Sequence, residues 1–224
     1  MKMAACRPVV YSFGKSSCSW RVRAALAFKG FPFDYVSVNT KRGENLSEAY
    51  RKLNPNQKIP ALSIDGTLLT QSSAILAYLE ETRPDPPLLP SDPLQRADIR
   101  SFCDIIGADI QPIQNLAVLR EISKNVPKEE EAATRDKWVA KWVTRGFGAL
   151  ESRLQGTAGK YCYGDSFTLA DIYLFPQVNN ARFFHVDLTP FPTITRIANT
   201  LATEDAFAST HPSKMPDGED TFKA

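Results

Sequence analysis

The sequence predicts two domains of different class, an α/β N-terminal domain and an all-α C-terminal domain. Strand and helix patterns alternate over residues 1–83, whereas apolar residues at helical spacing dominate from residue 94 onward. Between them, residues 83–93 read "RPDPPLLPSDP", with five prolines in eleven residues. Because proline interrupts helices and strands alike, we expect residues 84–93 to be a linker between domains at 1–83 and 94–224.

The first domain begins with a strand–helix–strand pattern. "RPVVYSF" and "FDYVSVN" are β-branched and aromatic runs typical of strands. The segment between them, "SWRVRAALAFKG", has apolar residues near helical spacing and ends at Gly30, which suits the left-handed position after a helix. Strands joined in this way pair in parallel through a right-handed crossover, so a βαβ unit is predicted.

The rest of this domain is predicted to contain a helix, a hairpin and a second helix. "SEAYRKLN" fits a short helix, and "ALSID" and "LLTQ" flank Gly66 as the strands of a hairpin. "SSAILAYLEE" has the apolar periodicity of an amphipathic helix. The order βαβ followed by ββα implies one mixed sheet with helices on its faces.

The C-terminal domain is predicted to be helical nearly throughout. "LQRADIRSFCDIIGADIQPIQNLAVLREI" indicates one long helix with a bend near Pro112. Along "ATRDKWVAKWVTRGFGALESRL", the side chains of Trp138, Trp142 and Phe147 fall on one side, which indicates core packing. In "SFTLADIYLF", Thr168 is predicted to cap a helix with Asp171 at its third position, so Asp171 is interpreted as structural rather than catalytic.

The composition argues against several function classes. The formal net charge is only +2 over 224 residues, and no basic run or RNA-binding motif indicates a nucleic-acid partner. No apolar run approaches the roughly 20 residues of a membrane span, so we expect a cytoplasmic protein without a membrane partner. Four cysteines without a CxxC pair predict free thiols, and the histidines lie far from them, which argues against a zinc site.

The stretch "FGKSSCSWRVR" concentrates polar groups where the first strand turns into a helix. Backbone N–H groups and the positive end of the helix dipole meet at such a turn, and hydroxyls can donate there. An anion, and especially a thiolate, is favoured in this place. One serine would suffice for capping, so the cluster Ser16, Ser17, Cys18 and Ser19 is interpreted as a site where either Cys18 or a bound thiol reacts.

Two later motifs add binding features. In "NQKIPAL", a cis Ile59–Pro60 bond would aim a backbone N–H and C=O outward to pair with an extended ligand. A trans proline ending a loop is the commoner arrangement. In "TQSSAI", Gln71 and Ser72 begin a helix, where a ligand carboxylate would receive a hydroxyl, backbone N–H groups and the dipole. Ordinary capping explains Ser72 equally well.

The order of these features resembles the glutathione transferase family. "SSCSWRVR" is similar to the signature of its zeta class, the maleylacetoacetate isomerases. The resemblance covers nearly the whole chain and continues through "LNPNQKIPAL", "TQSSAILAYLEETRP", "IQPIQNL", "GDSFTLAD", "PQV" and "VDLTPFPT". It implies the glutathione transferase fold with a thioredoxin-like N-terminal domain, glutathione as the cofactor, a small unsaturated diacid as substrate and a homodimer.

The same resemblance implies roles for individual residues. The thiol-activating, catalytic turn falls on Ser16, Ser17 and Cys18, with Ser16 the first choice as donor to the glutathione sulfur and Cys18 a helper. Asn45 stands where relatives carry glutamine or histidine, so its contact is expected to be lost or carried by water. Lys58 is interpreted either as a partner of the glycyl carboxylate or as a solvated lysine. The main-chain anchor before a cis-proline falls on Ile59, and the γ-glutamyl carboxylate site falls on Gln71 and Ser72. The glutathione contacts as a whole fall on Ser16, Asn45, Lys58, Ile59, Pro60, Gln71, Ser72, Gln111 and Asn115.

One predicted substrate contact departs from the family pattern. The family carries an arginine shortly after "PQV" that is thought to hold the substrate carboxylate. A gapless alignment puts Phe183 at that place and Arg182 one residue earlier, a rotation of about 100° around a helix axis. Arg182 and Lys15, at the pocket edge, are the candidates for binding the substrate carboxylates.

The activity implied by the resemblance is glutathione-dependent isomerisation of maleylacetoacetate to fumarylacetoacetate, in tyrosine and phenylalanine breakdown. Thiolate addition makes the maleyl double bond single, and rotation followed by loss of thiolate gives the fumaryl product. Maleylpyruvate isomerisation, conjugation and α-haloacid dehalogenation begin with the same attack and stay open. A scaffold role is disfavoured because the hydroxyl cluster is kept, and a disulfide oxidoreductase because Arg21 replaces the expected second cysteine.

Overall fold

A mixed sheet of four strands forms the centre of the first part of the chain: β1 (Val9–Ser12), β2 (Asp34–Ser37), β3 (Ala61–Ile64) and β4 (Thr67–Thr70). The computed structural model describes residues 7–218. The strand order is β2-β1-β3-β4, with β1 parallel to β2 and the other two pairs antiparallel. The predicted βαβ unit and hairpin are therefore confirmed.

Three helices complete this part: α1 (Ser17–Phe28), α2 (Glu48–Leu53) and α3 (Ser72–Thr82). Beyond the C-terminus of α1, Gly30 adopts a left-handed φ of 70°, as predicted. A buried ion pair then joins α1 to the end of α3. The ammonium of Lys29 lies 2.8 Å from the Glu80 carboxylate and also donates to the carbonyls of Arg83 and Pro86.

The remaining helices are α4 (Pro93–Asp104), α5 (Leu116–Ile122), α6 (Glu131–Thr157), α7 (Leu169–Phe183), α8 (Pro192–Leu201) and α9 (Asp205–Ala208). The prediction of one long helix with a bend near Pro112 is wrong, because the helix is interrupted there and a separate helix follows. A π-helical segment, Ile105–Ile110, ends α4, and Asn115 then caps a separate helix by accepting from the Ala117 N–H at 3.2 Å. Pro112 has no N–H to continue the ladder through this break.

The start of α7 confirms a predicted local structure. Thr168 and Asp171 form a reciprocal capping box. The Asp171 carboxylate is fully buried and accepts from the N–H groups of Thr168 and Cys162 at 2.8 and 2.9 Å, and burial raises its pKa. On α6, Phe147 is buried as expected, but Trp138 and Trp142 are partly exposed, so the predicted core stripe is only partly correct.

The described residues divide into two compact units. The first combines the chain up to Pro87 with the chain from Thr203 onward, and the second is Leu88–Ala202. These units differ from the predicted domains 1–83 and 94–224, because residues after Thr203 pack on α1. The indole of Trp20 donates to the Thr210 hydroxyl at 3.0 Å and contacts the rings of Phe207 and His211 edge to face.

Residues 84–92 of the predicted linker 84–93 form neither helix nor strand, whereas Pro93 already belongs to α4. Asp92 caps that helix by accepting from the Gln95 N–H at 2.8 Å. Within residues 7–218, no helix is both long enough and apolar enough to cross a membrane.

Candidate functional site

Ser16 is the N-cap of α1, at the turn where the sequence predicts thiol activation. Its backbone is extended, and its hydroxyl oxygen accepts the Ser19 N–H at 3.2 Å. That contact uses an oxygen lone pair, so the hydroxyl proton stays available for donation to a ligand. The start of α1 contributes a positive partial charge at the same place. A thiolate facing Ser16 would therefore meet both a donor and the helix dipole.

The residues after Ser16 differ in accessibility. Ser17 is buried, whereas Cys18 is a half-buried free thiol. Ser19 is fully buried, and its hydroxyl has no hydrogen-bond partner among the described residues. Of the predicted catalytic residues, Ser16 and Cys18 are thus the ones that reach the surface at the helix start.

Lys15 adds positive charge beside this turn. Partial burial and the neighbouring ammonium of Lys41 lower the pKa of Lys15 to about 8. Two cations in such proximity favour an anion nearby, because the anion reduces their mutual repulsion. This electrostatic setting agrees with the prediction that Lys15 binds a substrate carboxylate.

The peptide bond between Ile59 and Pro60 is cis, as the resemblance implies. The segment before it is held through its own main chain. The carbonyl of Lys58 accepts from the Tyr50 hydroxyl at 2.8 Å and from the Asn54 amide at 2.7 Å. Within residues 7–218, no hydrogen bond engages the main-chain N–H or C=O of Ile59, so both can pair with an extended ligand.

Asn45 and Lys58 have local roles that the sequence did not indicate. The Asn45 amide donates to the Gln57 carbonyl at 2.9 Å and so supports the segment before the cis bond. The Lys58 side chain is exposed, and the structure fixes its main chain rather than its ammonium. Their predicted contacts with glutathione stay predictions.

Gln71 has an unusual backbone at the start of α3. Its φ is 68° and its ψ is 119°, and its side chain makes no capping hydrogen bond. A left-handed φ is rare for a non-glycine residue and is typical of functionally constrained positions. The first N–H groups of a helix lack intrahelical partners, so the start of α3 suits a carboxylate. Ser72 is the first helical residue and is largely buried.

The strand register brings these three features to one edge of the sheet. Tyr11, near the end of β1, lies opposite Ala61 at the start of β3, and Ala61 lies opposite Thr70 at the end of β4. The turn before α1, the cis bond before β3 and the start of α3 therefore share that edge. An extended ligand there would find a thiolate-stabilising turn, a main-chain partner and a carboxylate site together.

The predicted residues of the second unit have separate surroundings. Gln111 and Asn115 flank the break between the π-helical segment and α5. The side-chain oxygen of Asn115 caps α5 by accepting from the Ala117 N–H. Arg182 is exposed in the last turn of α7, where its guanidinium donates to the Asn199 side chain of α8 at 3.2 Å. Phe183, at the aligned position of the family arginine, is 52% exposed. Their ligand contacts stay predictions.

Sequence reasoning missed the groups that hold the thiol turn from inside. Arg23 is fully buried, although charged residues are seldom buried without partners. Its guanidinium donates to the Ser12 hydroxyl at 2.7 Å and to the Gly14 carbonyl at 3.0 Å. The sequence signal that could have revealed its burial is its position in the largely apolar helical stretch "SWRVRAALAF".

Comparisons with known proteins agree with this geometry. The family described as glutathione S-transferase, N-terminal domain, matches residues 15–82, and glutathione S-transferase, C-terminal domain, matches residues 118–209. The chain is 49% identical to maleylacetoacetate isomerase of Rattus norvegicus, over 96% of this chain and 97% of the relative.

Solved structures are similar over the same length. A holo structure of maleyl pyruvate isomerase, described as a bacterial zeta-class glutathione transferase, has a TM-score of 0.90 and 40% identity, covering 93% of this chain and 99% of that one. Maleylacetoacetate isomerase from Anaeromyxobacter dehalogenans 2CP-1 with bound GSH has a TM-score of 0.85 and 39% identity, covering 95% and 98%. That protein has also been solved with dicarboxyethyl glutathione and citrate in its active site.

Proposed function

The chain belongs to the glutathione S-transferase family, in the zeta class, and on this premise we propose that it is a maleylacetoacetate isomerase. It converts maleylacetoacetate to fumarylacetoacetate, a step of tyrosine and phenylalanine catabolism, with glutathione as its cofactor. The observation that carries the proposal is the 49% identity to maleylacetoacetate isomerase over 96% of the chain. The shared sheet edge of the thiol turn, the cis bond and the α3 start supports it.

Glutathione, when bound, supplies a thiolate that adds reversibly to the maleyl alkene and so permits rotation about that bond. Ser16 stabilises the thiolate by donating a hydrogen bond from its hydroxyl group, and the N-terminal end of α1 adds a favourable partial charge. Such a hydrogen bond to a charged group contributes about 1.5–3 kcal/mol. Cys18, half-buried beside it, assists without forming a covalent bond. Because the cofactor is regenerated, each turnover leaves the amount of glutathione unchanged.

The other residues of the first unit orient the cofactor. Ile59 pairs with it through main-chain N–H and C=O, as a strand pairs with its neighbour. Gln71 and Ser72 receive the γ-glutamyl carboxylate at the start of α3, where the helix dipole favours a negative charge. Asn45 is a weaker contact because its amide already donates to the Gln57 carbonyl. Lys58 is a weaker contact because its side chain is exposed to solvent.

The proposal extends to the substrate and to the second unit. Lys15 binds a substrate carboxylate as an ammonium ion, and its lowered pKa is raised again when the anion is present. Gln111 and Asn115 contribute further polar contacts, and Arg182 is the second candidate for a carboxylate partner. The Lys15 ammonium provides positive charge that stabilises an enolate during addition and loss of the thiolate.

Steady-state kinetics with maleylacetoacetate, with and without glutathione, test the function. We expect formation of the fumaryl product with no consumption of glutathione and no turnover in its absence. Stoichiometric loss of glutathione would instead establish conjugation or dehalogenation. Activity that does not depend on glutathione would overturn the proposal.

Maleylpyruvate isomerisation is the second candidate, favoured by the TM-score of 0.90 with a maleyl pyruvate isomerase. Both substrates carry a ketone-conjugated maleyl group, so the same thiolate addition serves either one. Parallel measurements of kcat/KM separate them, and we expect the higher value for maleylacetoacetate. A higher value of kcat/KM for maleylpyruvate would make maleylpyruvate isomerisation the main activity.

We also propose a cytoplasmic homodimer. The free thiols Cys18, Cys103 and Cys162 support a reducing compartment. The homodimer is what membership of the glutathione S-transferase family implies. Light scattering in solution tests the dimer, and a monomer at micromolar concentration would contradict it.

A further inference from the structure

Gly14, two residues before the predicted sulfur donor Ser16, is held on both sides by charged side chains. Its N–H donates to both carboxylate oxygens of Asp217 at 3.2 Å, and its carbonyl accepts from the Arg23 guanidinium at 3.0 Å. The carboxylate comes from the far end of the chain, 203 residues away. The turn that carries Ser16 is therefore fixed by a long-range contact as well as by its neighbours.

The Asp217 carboxylate is itself held in place by several donors. It accepts from the Tyr35 hydroxyl at 2.9 Å and from the Ser37 hydroxyl at 2.9 Å, both on β2. Burial raises the pKa of Tyr35, so its phenol stays protonated and can donate. Asp217 is itself buried, at 8% exposure, which limits competition from water for these hydrogen bonds.

The same contacts extend directly to Ser16. The Ser16 N–H closes a turn by donating to the Phe13 carbonyl at 2.9 Å, and that carbonyl also accepts from Arg23 at 3.4 Å. Gly14 lies inside this turn, so a displacement of its peptide groups displaces the Ser16 hydroxyl. Burial lowers the pKa of Arg23 to about 10, which leaves the guanidinium charged at neutral pH.

We propose that Asp217 is a positioning residue for the thiol-activating turn, acting through the N–H of Gly14. It touches neither cofactor nor substrate. The carboxylate holds the turn so that the Ser16 hydroxyl faces the glutathione sulfur, and this inference rests on the proposed function. Placement matters because a displacement of about 1 Å at a reacting group can reduce a rate by about 100-fold.

The test compares Asp217→Ala with Thr210→Val in the full chain. Thr210 anchors the same C-terminal segment by accepting from the Trp20 indole, and its hydroxyl donates to the Ala206 carbonyl. Thr210→Val keeps the main-chain carbonyl of residue 210, which accepts from the Arg23 guanidinium at 3.4 Å. We expect Asp217→Ala to lower kcat/KM about 10- to 100-fold and to raise the apparent pKa of bound glutathione by about one unit, read from thiolate absorbance. We expect Thr210→Val to leave both values within about threefold of wild type, even where it lowers the unfolding midpoint equally.

Two further measurements separate geometry from charge and from activity. Asp217→Asn keeps an acceptor oxygen for the Gly14 N–H and is expected to recover most of the lost kcat/KM. Amide hydrogen exchange at Ser16 and Ser19 is expected to accelerate in Asp217→Ala and not in Thr210→Val. Equal losses in Asp217→Ala and Thr210→Val, or in Asp217→Ala and Asp217→Asn, would overturn the positioning role.

Failure of this inference and failure of the proposed function give different results. A wild-type protein without isomerase activity would refute the function, while the hydrogen-exchange comparison would still decide whether Asp217 orders the turn. Unchanged exchange at Ser16 together with an active wild-type enzyme would refute the positioning role alone.

Discussion

Replacing Ser16 by alanine removes two interactions with different consequences. The hydroxyl oxygen caps α1 through the Ser19 N–H at 3.2 Å, and loss of a serine cap costs about 1 kcal/mol of folding free energy. The hydroxyl proton is proposed to stabilise the glutathione thiolate, and loss of a hydrogen bond to a charged group costs about 1.5–3 kcal/mol. Because about 1.4 kcal/mol corresponds to tenfold in rate, kcat/KM is expected to fall about 10- to 150-fold.

Ser47→Ala is the matched control for this substitution. Ser47 caps α2 by accepting the Tyr50 N–H, also at 3.2 Å, and has no proposed contact with the sulfur. Both variants are expected to lose about 1 kcal/mol in urea unfolding, and only Ser16→Ala is expected to lose activity and to raise the pKa of bound glutathione. Equal losses of activity in the two variants would refute the role of the hydroxyl.

Cys18→Ala completes the comparison. Its thiol lies next to the turn but is proposed only to assist, so a loss smaller than that of Ser16→Ala is expected. A larger loss in Cys18→Ala would make the cysteine the essential group and would reverse the assignment of the two residues.

Three other outcomes follow from buried or crowded groups. The folded-state pKa of Lys15, about 8, lies below its unfolded value of 10.5. Its ammonium therefore loses its proton above pH 8, and kcat/KM for the diacid should fall there. Because the unfolded chain keeps that proton up to pH 10.5, Lys15 also makes the fold more stable as the pH rises from 8 to 10.5. Lys15→Arg should move this alkaline limb upward, and an unmoved limb would contradict the role of Lys15. Glu80→Ala leaves the fully buried Lys29 ammonium without its carboxylate and should lower the free energy of unfolding in urea by about 3–5 kcal/mol. Glu48→Ala removes the carboxylate of an exposed ion pair with Lys52 and should cost at most about 1 kcal/mol. Similar costs in the two variants would contradict the buried pair. In α6, Gly146→Ala would place a Cβ against the buried Ile110 side chain and should cost about 1–3 kcal/mol, whereas a Cβ at Gly148 would meet nothing within 4 Å, so Gly148→Ala should stabilise the helix. Thermal unfolding that ranks the two variants in the opposite order would contradict the packing.

Local sequence patterns predict the elements of the first unit because their causes are local. Gly30 ends α1 at a left-handed φ, and the alternation of strand and helix signals specifies the βαβ and hairpin units. The residues alone leave the Ile59–Pro60 bond undecided, since trans is far commoner, and the family resemblance supplies the cis form that the structure confirms.

Other features depend on interactions that no local pattern contains. The π-helical segment Ile105–Ile110 and the break after it interrupt a helical periodicity that continues through both sides. The left-handed φ of Gln71 occurs where β4 ends and α3 begins, and glutamine is not a residue type that predicts it. The contact between Asp217 and Gly14 joins the two ends of the chain, so neither residue stands out in the sequence.

The packing of residues after Thr203 on α1 has a consequence for how the protein is made. A nascent chain that has emerged only as far as Ala202 contains every strand of the sheet, yet Trp20 lacks its Thr210 acceptor and Gly14 lacks the Asp217 carboxylate. Domains generally fold in the order of their synthesis, the N-terminal one first. Here the unit translated first is finished last, and termination of translation before Asp217 would damage the thiol turn near the opposite end of the polypeptide.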